Sequence, residues 1–137
     1  MKLTKTYLKD LIYQVVGAAI EVHKELGPGL LESVYHKCLK HELSERGILF
    51  RSEMVVPVNY KGLKIDAELR CDIYVDNVLP VELKATETIL PIHEAQLMTY
   101  MKLLKAPEGL LINFNVTHIF TEGQRTYVNE LYRNLPV

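Results

Sequence analysis

Apolar side chains return every three or four positions through the first part of the chain, at Leu8, Ile12, Val15, Val16, Ala19, Val22 and Leu26. That spacing predicts a helix capped by Thr4 or Thr6 and running to about residue 25. Gly27-Pro28-Gly29 closes it, because glycine accepts a left-handed cap and proline cannot continue the ladder. A second helix is predicted from about residue 30 to 46, with Leu31, Val34, Cys38, Leu39 and Leu43 as its buried stripe and Gly47 as its stop. Beyond Gly47 the period falls to two. Residues 53–60 read as a strand turned by Lys61-Gly62, and residues 64–75 and 79–85 as two more joined across Asp76-Asn77. Helical spacing returns over 92–105 through Ala95, Leu97, Met98, Met101 and Leu104. Residues 109–115 form a nearly continuous apolar run, which suits a strand covered on both faces. Residues 117–132 hold no single period, and a closing hairpin over Glu122-Gly123 is one reading of them. The order α-α-β-β-β-α-β predicts an α+β or α/β architecture around a mixed sheet.

Composition narrows the class. The chain has 137 residues, 48% hydrophobic and 24% charged, which fits one globular domain with a core of its own. No apolar run is long enough for a membrane span, and the charged first ten residues do not read as a secretory signal. Two cysteines, Cys38 and Cys71, are too few for a disulfide scaffold and fit a reducing, cytoplasmic setting. The net charge of −1 argues against a surface that grips nucleic acid everywhere. It leaves room for a local basic patch, for which Lys37, Lys40, Arg51, Lys61, Lys64 and Lys102 are candidates.

The stretch from Asp72 to Lys84 carries the most chemistry. Glu82 and Lys84 are two apart on a predicted strand, so both leave the same face, and burying either charge alone is costly. A strict two-residue turn at Asp76-Asn77 sets Asp72 opposite Val81. A three-residue loop, or a bulge near Pro80, sets it opposite Glu82. Two facing carboxylates make a hard-oxygen site for Mg²⁺ or Mn²⁺, with Lys84 placed to act on water. A buried Asp–Lys–Glu ion network without metal is the competing reading. Gly29, Glu32 and Tyr35 step by three along the second helix, where Glu32 complements the helix dipole in the plainer account and Tyr35 edges the core. Gln96 and Tyr100 share a face of the third helix, with His93 one turn earlier. Cys38 and His41 have zinc-like spacing but no second ligand pair, and His23, His36 and His118 stand alone. No phosphate loop, nucleophile elbow or His-Glu-x-x-His helix occurs.

These pieces together resemble a known family. Gly29-Leu30-Leu31-Glu32-Ser33-Val34-Tyr35 is similar to the signature of the GxxExxY proteins. Asp72…Glu82-Leu83-Lys84 and Gln96-x-x-x-Tyr100 resemble the PD-(D/E)XK nuclease superfamily to which those proteins are assigned, with Cys71 standing where the superfamily's name has proline. The resemblance implies a restriction-endonuclease-like core, a mixed sheet of about four strands flanked by helices. It implies that Asp72 and Glu82 bind a divalent metal, Mg²⁺ or Mn²⁺, with the Leu83 carbonyl, while Lys84 positions water and Glu32 completes the acidic cluster. It implies substrate contacts from Gln96, Tyr100 and Tyr35. The expected activity is hydrolysis of phosphodiester bonds, and the expected partner is nucleic acid, DNA ahead of RNA, with no membrane and with homodimerisation open. A non-catalytic nucleic-acid- or protein-binding module that kept the fold is the alternative. If the carboxylates converge without a cation, their pKa values should be raised, moderated by Lys84.

Overall fold

A computed structural model describes residues 2–65 and 69–137. The first helix, α1 (Lys5–Leu26), starts where Thr4 accepts the Tyr7 N–H and ends where Gly27, at φ +69°, donates to the His23 carbonyl. It buries Leu8, Leu11, Val15, Val16, Ala18, Ala19 and Val22, much as its spacing predicts, although Leu26 stays exposed. α2 (Glu32–Glu45) buries Leu39 and Leu43 and packs Cys38 against the core as expected, and differs from expectation only in its first turn. Tyr35, Leu39 and Leu43 point inward, while Leu31 is 74% exposed and Val34 is also exposed. The difference has a cause: the Tyr35 ring stacks on Phe114 with centroids 4.5 Å apart, an apolar contact the short stripe Leu31–Val34 has no counterpart for.

The expected strand over 53–60 is two strands in two sheets. β1 (Phe50–Val55) starts earlier and ends before Val56-Pro57, where proline offers no donor to a ladder. β2 (Val58–Tyr60) then pairs with β3 (Leu63–Ile65) about Lys61-Gly62, both of which hold positive φ as a tight hairpin turn requires. Of the strand expected over 64–75, the structure shows β3 and β4 (Arg70–Val75); residues 66–68 lie outside the described residues. β5 (Leu79–Lys84), α3 (Pro91–Leu104) and β6 (Glu108–Asn113) follow the sequence reading closely, and β6 is buried at every position.

The main sheet has five strands in the order β1-β4-β5-β6-β7, antiparallel except for the parallel β5–β6 pair. The fifth, β7 (Gln124–Val128), comes from the ambiguous segment and adds an edge strand to the expected mixed sheet of about four. No hairpin forms over Glu122-Gly123; a π-helical turn occupies Ile119–Gly123 and β7 returns against β6, before a short α4 (Glu130–Arg133). Ile73, Val81, Leu83, Leu110 and Ile112 share a core with α1 and α2, whereas Leu111 packs with Leu97 and Met101 of α3. Helices therefore cover both faces, with α3 as the crossover between the parallel strands. Gly109 lets α3 lie close: a Cβ there would stand 2.8 Å from Met101 Sδ. No helix among the described residues is long and apolar enough to cross a membrane.

Candidate active site

The loop between β4 and β5 decides the site. Val75 pairs with Leu79, so three residues, Asp76-Asn77-Val78, make the turn. Asp76 and Asn77 both hold positive φ, and the Val78 N–H donates to the Val75 carbonyl at 3.0 Å. Pro80 stays in register opposite Tyr74 without a bulge. The same register, continued from Ile73–Val81, sets Asp72 across from Glu82. The Asp72 N–H donates to Glu82 Oε1 at 3.2 Å, and the Leu83 N–H donates to Asp72 Oδ2 at 2.8 Å. Each carboxylate is thus aimed by the other's strand.

Glu82 is only 3% exposed. Burial, reinforced by the Asp72 carboxylate beside it, pushes its pKa from an ordinary 4.5 up to about 8, against a downward pull from Lys84. Burial also raises Glu32, with Asp72 adding to the rise while Lys84 and His36 oppose it. The expected elevation is therefore present at both glutamates, but loss of water outranks mutual repulsion as its cause. Tyr100 is pushed up to about 12 by burial and then by Glu82 and Asp72, with Gln96 on the same helix face pulling the other way. Tyr100 on α3 therefore feels both members of the acidic pair, Gln96 lies one helical turn before it, and Glu32 at the start of α2 feels Asp72 and Lys84. Lys84 sits on a strand end clamped by β6. Phe114 N–H donates to the Lys84 carbonyl at 2.8 Å, and Asn113 exchanges two hydrogen bonds with the Thr86 main chain.

One expectation needs correction. Tyr35 does not face a substrate: it is fully buried, its hydroxyl donates to the Gly27 carbonyl at 2.5 Å and accepts the Leu30 N–H at 3.1 Å. Its work is to hold the α1–α2 loop that delivers Glu32. Glu32 lies near enough to the pair to feel the charges of Asp72 and Lys84, although no group of three His, Cys, Asp or Glu side chains among the described residues is already gathered as a metal site. Leu83 puts its side chain in the core, which leaves its main-chain carbonyl as the group the resemblance assigns to the site. Cys71 is a buried thiol whose pKa burial lifts to about 12, which leaves it chemically quiet. One neighbour escaped the sequence reading. His36, one turn beyond Glu32, lies 3.2 Å from Ser52 and 4.0 Å from the Glu53 carboxylate. Its i, i+4 relation to Glu32 was the available signal.

The donor chemistry fits a hard divalent cation. Two carboxylates from adjacent strands keep one oxygen each on a main-chain N–H, and one of them retains a proton to about pH 8 where a cation would otherwise balance the charge. Compared with known families, residues 9–126 match the model of the PD-(D/E)XK nuclease superfamily. Neither the curated proteins nor the solved structures contain a match to the chain.

Proposed function

From the premise that this chain belongs to the PD-(D/E)XK nuclease superfamily, we propose that it is a divalent-metal-dependent nuclease hydrolysing phosphodiester bonds, of DNA ahead of RNA. The observation that carries this reading is the pair of hydrogen bonds across β4 and β5, from Asp72 N–H to the Glu82 carboxylate and from Leu83 N–H to the Asp72 carboxylate, with Lys84 two residues on from Glu82 along the strand. Mg²⁺ or Mn²⁺ would be held by Asp72 and Glu82 with the Leu83 carbonyl, and would supply Lewis-acid polarisation of the phosphate. Lys84 offsets negative charge that grows on the phosphate oxygens in the transition state. Glu32, whose carboxyl burial raises while Lys84 pulls it down, would complete the acidic cluster around the reacting phosphate. Gln96 and Tyr100 offer an amide and a hydroxyl to non-bridging phosphate oxygens. The narrower GxxExxY assignment is supported by the motif Gly29…Glu32…Tyr35.

The test is a cleavage screen over single- and double-stranded DNA and RNA, with Mg²⁺, Mn²⁺ or chelator, and Lys84→Ala as control. Fragments that depend on metal and vanish in the variant are the expected result. Wild type that takes up Mn²⁺ and cleaves nothing would overturn the nuclease reading in favour of a binding module.

A further inference from the structure

The β2–β3 ribbon leaves the main sheet at the end that carries the acidic pair. Val55 pairs with Arg70, two residues before Asp72, and the Val56 N–H extends the ladder by donating to the Leu69 carbonyl at 2.8 Å. Val56 is buried against Cys71, Tyr74 and Tyr100, the same Tyr100 whose hydroxyl senses Asp72 and Glu82. The root of the ribbon is therefore part of the wall of the site. Beyond that root the pairing Val58–Ile65 and Tyr60–Leu63 puts all four side chains on one face. That face is largely uncovered, with Tyr60 60%, Leu63 62% and Ile65 42% exposed. Lys64 occupies the other face, and Lys61 stands at the turn with its Nζ 5.3 Å from the Tyr60 ring centroid.

A two-stranded ribbon with a bare apolar face is marginal in water by itself, so the pattern asks for an occupant. Within the hairpin, Val58 to Ile65, the chain holds two lysines and no acidic residue, while Glu53 precedes it and Asp66 and Glu68 follow it in the sequence. A protein partner would need an apolar patch edged by acidic side chains to match it. A nucleic-acid strand answers the apolar face and the lysines together, because bases have apolar faces and phosphates carry the negative charge. We propose that the β2–β3 ribbon is the substrate-gripping arm, packing Tyr60 and Leu63 against bases, with Lys61 at the turn and the long side chain of Lys64, reaching around the narrow ribbon from its other face, against phosphates. The inference rests on the nuclease reading, which brings a nucleic acid to the carboxylates at the ribbon's root. From Val56 to the Lys61-Gly62 turn is five residues, a reach of roughly 17 Å at about 3.3 Å per residue. At 3.4 Å per base pair, that reach spans about five pairs of duplex.

The experiment measures binding of fluorescent oligonucleotides of about 30 nucleotides, single- and double-stranded, by the full chain in chelator, so that affinity is read without turnover. Tyr60→Ala should weaken single-strand binding by at least about fivefold, the lower bound for a lost base–aromatic stack. Lys61→Ala with Lys64→Ala should weaken both probes and flatten the salt dependence by up to about 1.8 in log–log slope on duplex. Lys61→Arg with Lys64→Arg should restore it, and circular dichroism should report the same fold throughout. Variants that bind like wild type with an unchanged salt slope overturn the inference, as does wild type that binds none of the probes. Loss of a wild-type dimer in Tyr60→Ala, with nucleic-acid binding intact, also overturns it and assigns the face to a second copy. The two readings separate cleanly: ribbon-dependent binding with no metal-dependent cleavage supports the arm and sinks the nuclease, whereas cleavage indifferent to the ribbon does the reverse.

Discussion

Glu82 takes the main-chain N–H of Asp72 across the β4–β5 ladder, while Asp72 takes the N–H of Leu83, the residue that follows Glu82. Because each carboxylate is oriented by the partner strand's backbone, neither can be removed without disturbing the other. Glu82→Gln keeps an acceptor for the Asp72 N–H and should change stability by less than about 1 kcal/mol. It should nevertheless abolish cleavage and divalent-metal uptake. Glu82→Ala leaves a buried N–H unpaired and should cost about 1–3 kcal/mol. Calorimetric titration with Mn²⁺ beside thermal melting of both variants distinguishes the chemical loss from the structural one.

The metal-free protein should lose stability as pH rises from about 4.5 to about 8. Glu82 keeps its proton in the folded chain up to about 8 and gives it up near its ordinary 4.5 when unfolded. The unfolded state thus binds fewer protons across that window, which makes the slope of stability with pH negative. The contribution is complete below the ordinary value and gone once pH passes the folded one. A bound divalent cation replaces the proton and should flatten the slope, while its uptake releases protons at neutral pH. Melting temperature followed from pH 5 to 9, with Mn²⁺ and with chelator, reads both effects; a slope that survives Glu82→Gln would assign the dependence elsewhere.

Lys84→Ala should spare metal binding and suppress turnover, since an ammonium is no ligand. The variant also removes the charge that holds Glu82 and Glu32 down. Both carboxyls should therefore rise further, and half-maximal Mn²⁺ uptake should move to higher pH. Uptake curves for wild type and variant that superimpose would show that Lys84 does not face the pair.

Tyr35→Phe tests the delivery of Glu32. It deletes the hydroxyl that bonds Gly27 and Leu30, at a cost of about 1–2 kcal/mol for two hydrogen bonds. Because the ring stays stacked on Phe114, the fold should persist while the loop before Glu32 loosens. Cleavage should fall with little change in substrate affinity, since Tyr35 is buried away from any substrate. An equal loss of affinity would return Tyr35 to the binding surface.

Gly109→Ala should push α3 off the sheet. The new methyl would meet Met101 Sδ at 2.8 Å and Leu97 Cδ1 at 3.0 Å, and overpacking of this kind costs about 1–3 kcal/mol. Since Gln96 and Tyr100 ride on the same helix, activity should drop by more than the unfolded fraction explains. Wild-type activity in the folded variant would detach α3 from the site.

The sequence by itself determined the helices α1 and α3, the buried strand β6, and the pairing of chemistry along β5, because each of these rests on a local period or on neighbours in the chain. Glu82 and Lys84 share a face by strand geometry alone. What local spacing left open was settled by contacts between distant segments. The first turn of α2 buries Tyr35 because Phe114, far along the chain, offers it a ring to stack on. The strand expected over 53–60 divided because β4 was free to pair only with its first part, leaving the rest to fold back on β3. Asp72 faces Glu82 rather than Val81 because the loop has three residues instead of two, and a one-residue change of register exchanges every side chain between the faces of a strand. Carboxylate pKa values likewise belong to the tertiary structure: the chain supplies the charges, but only packing removes the water that keeps them ordinary.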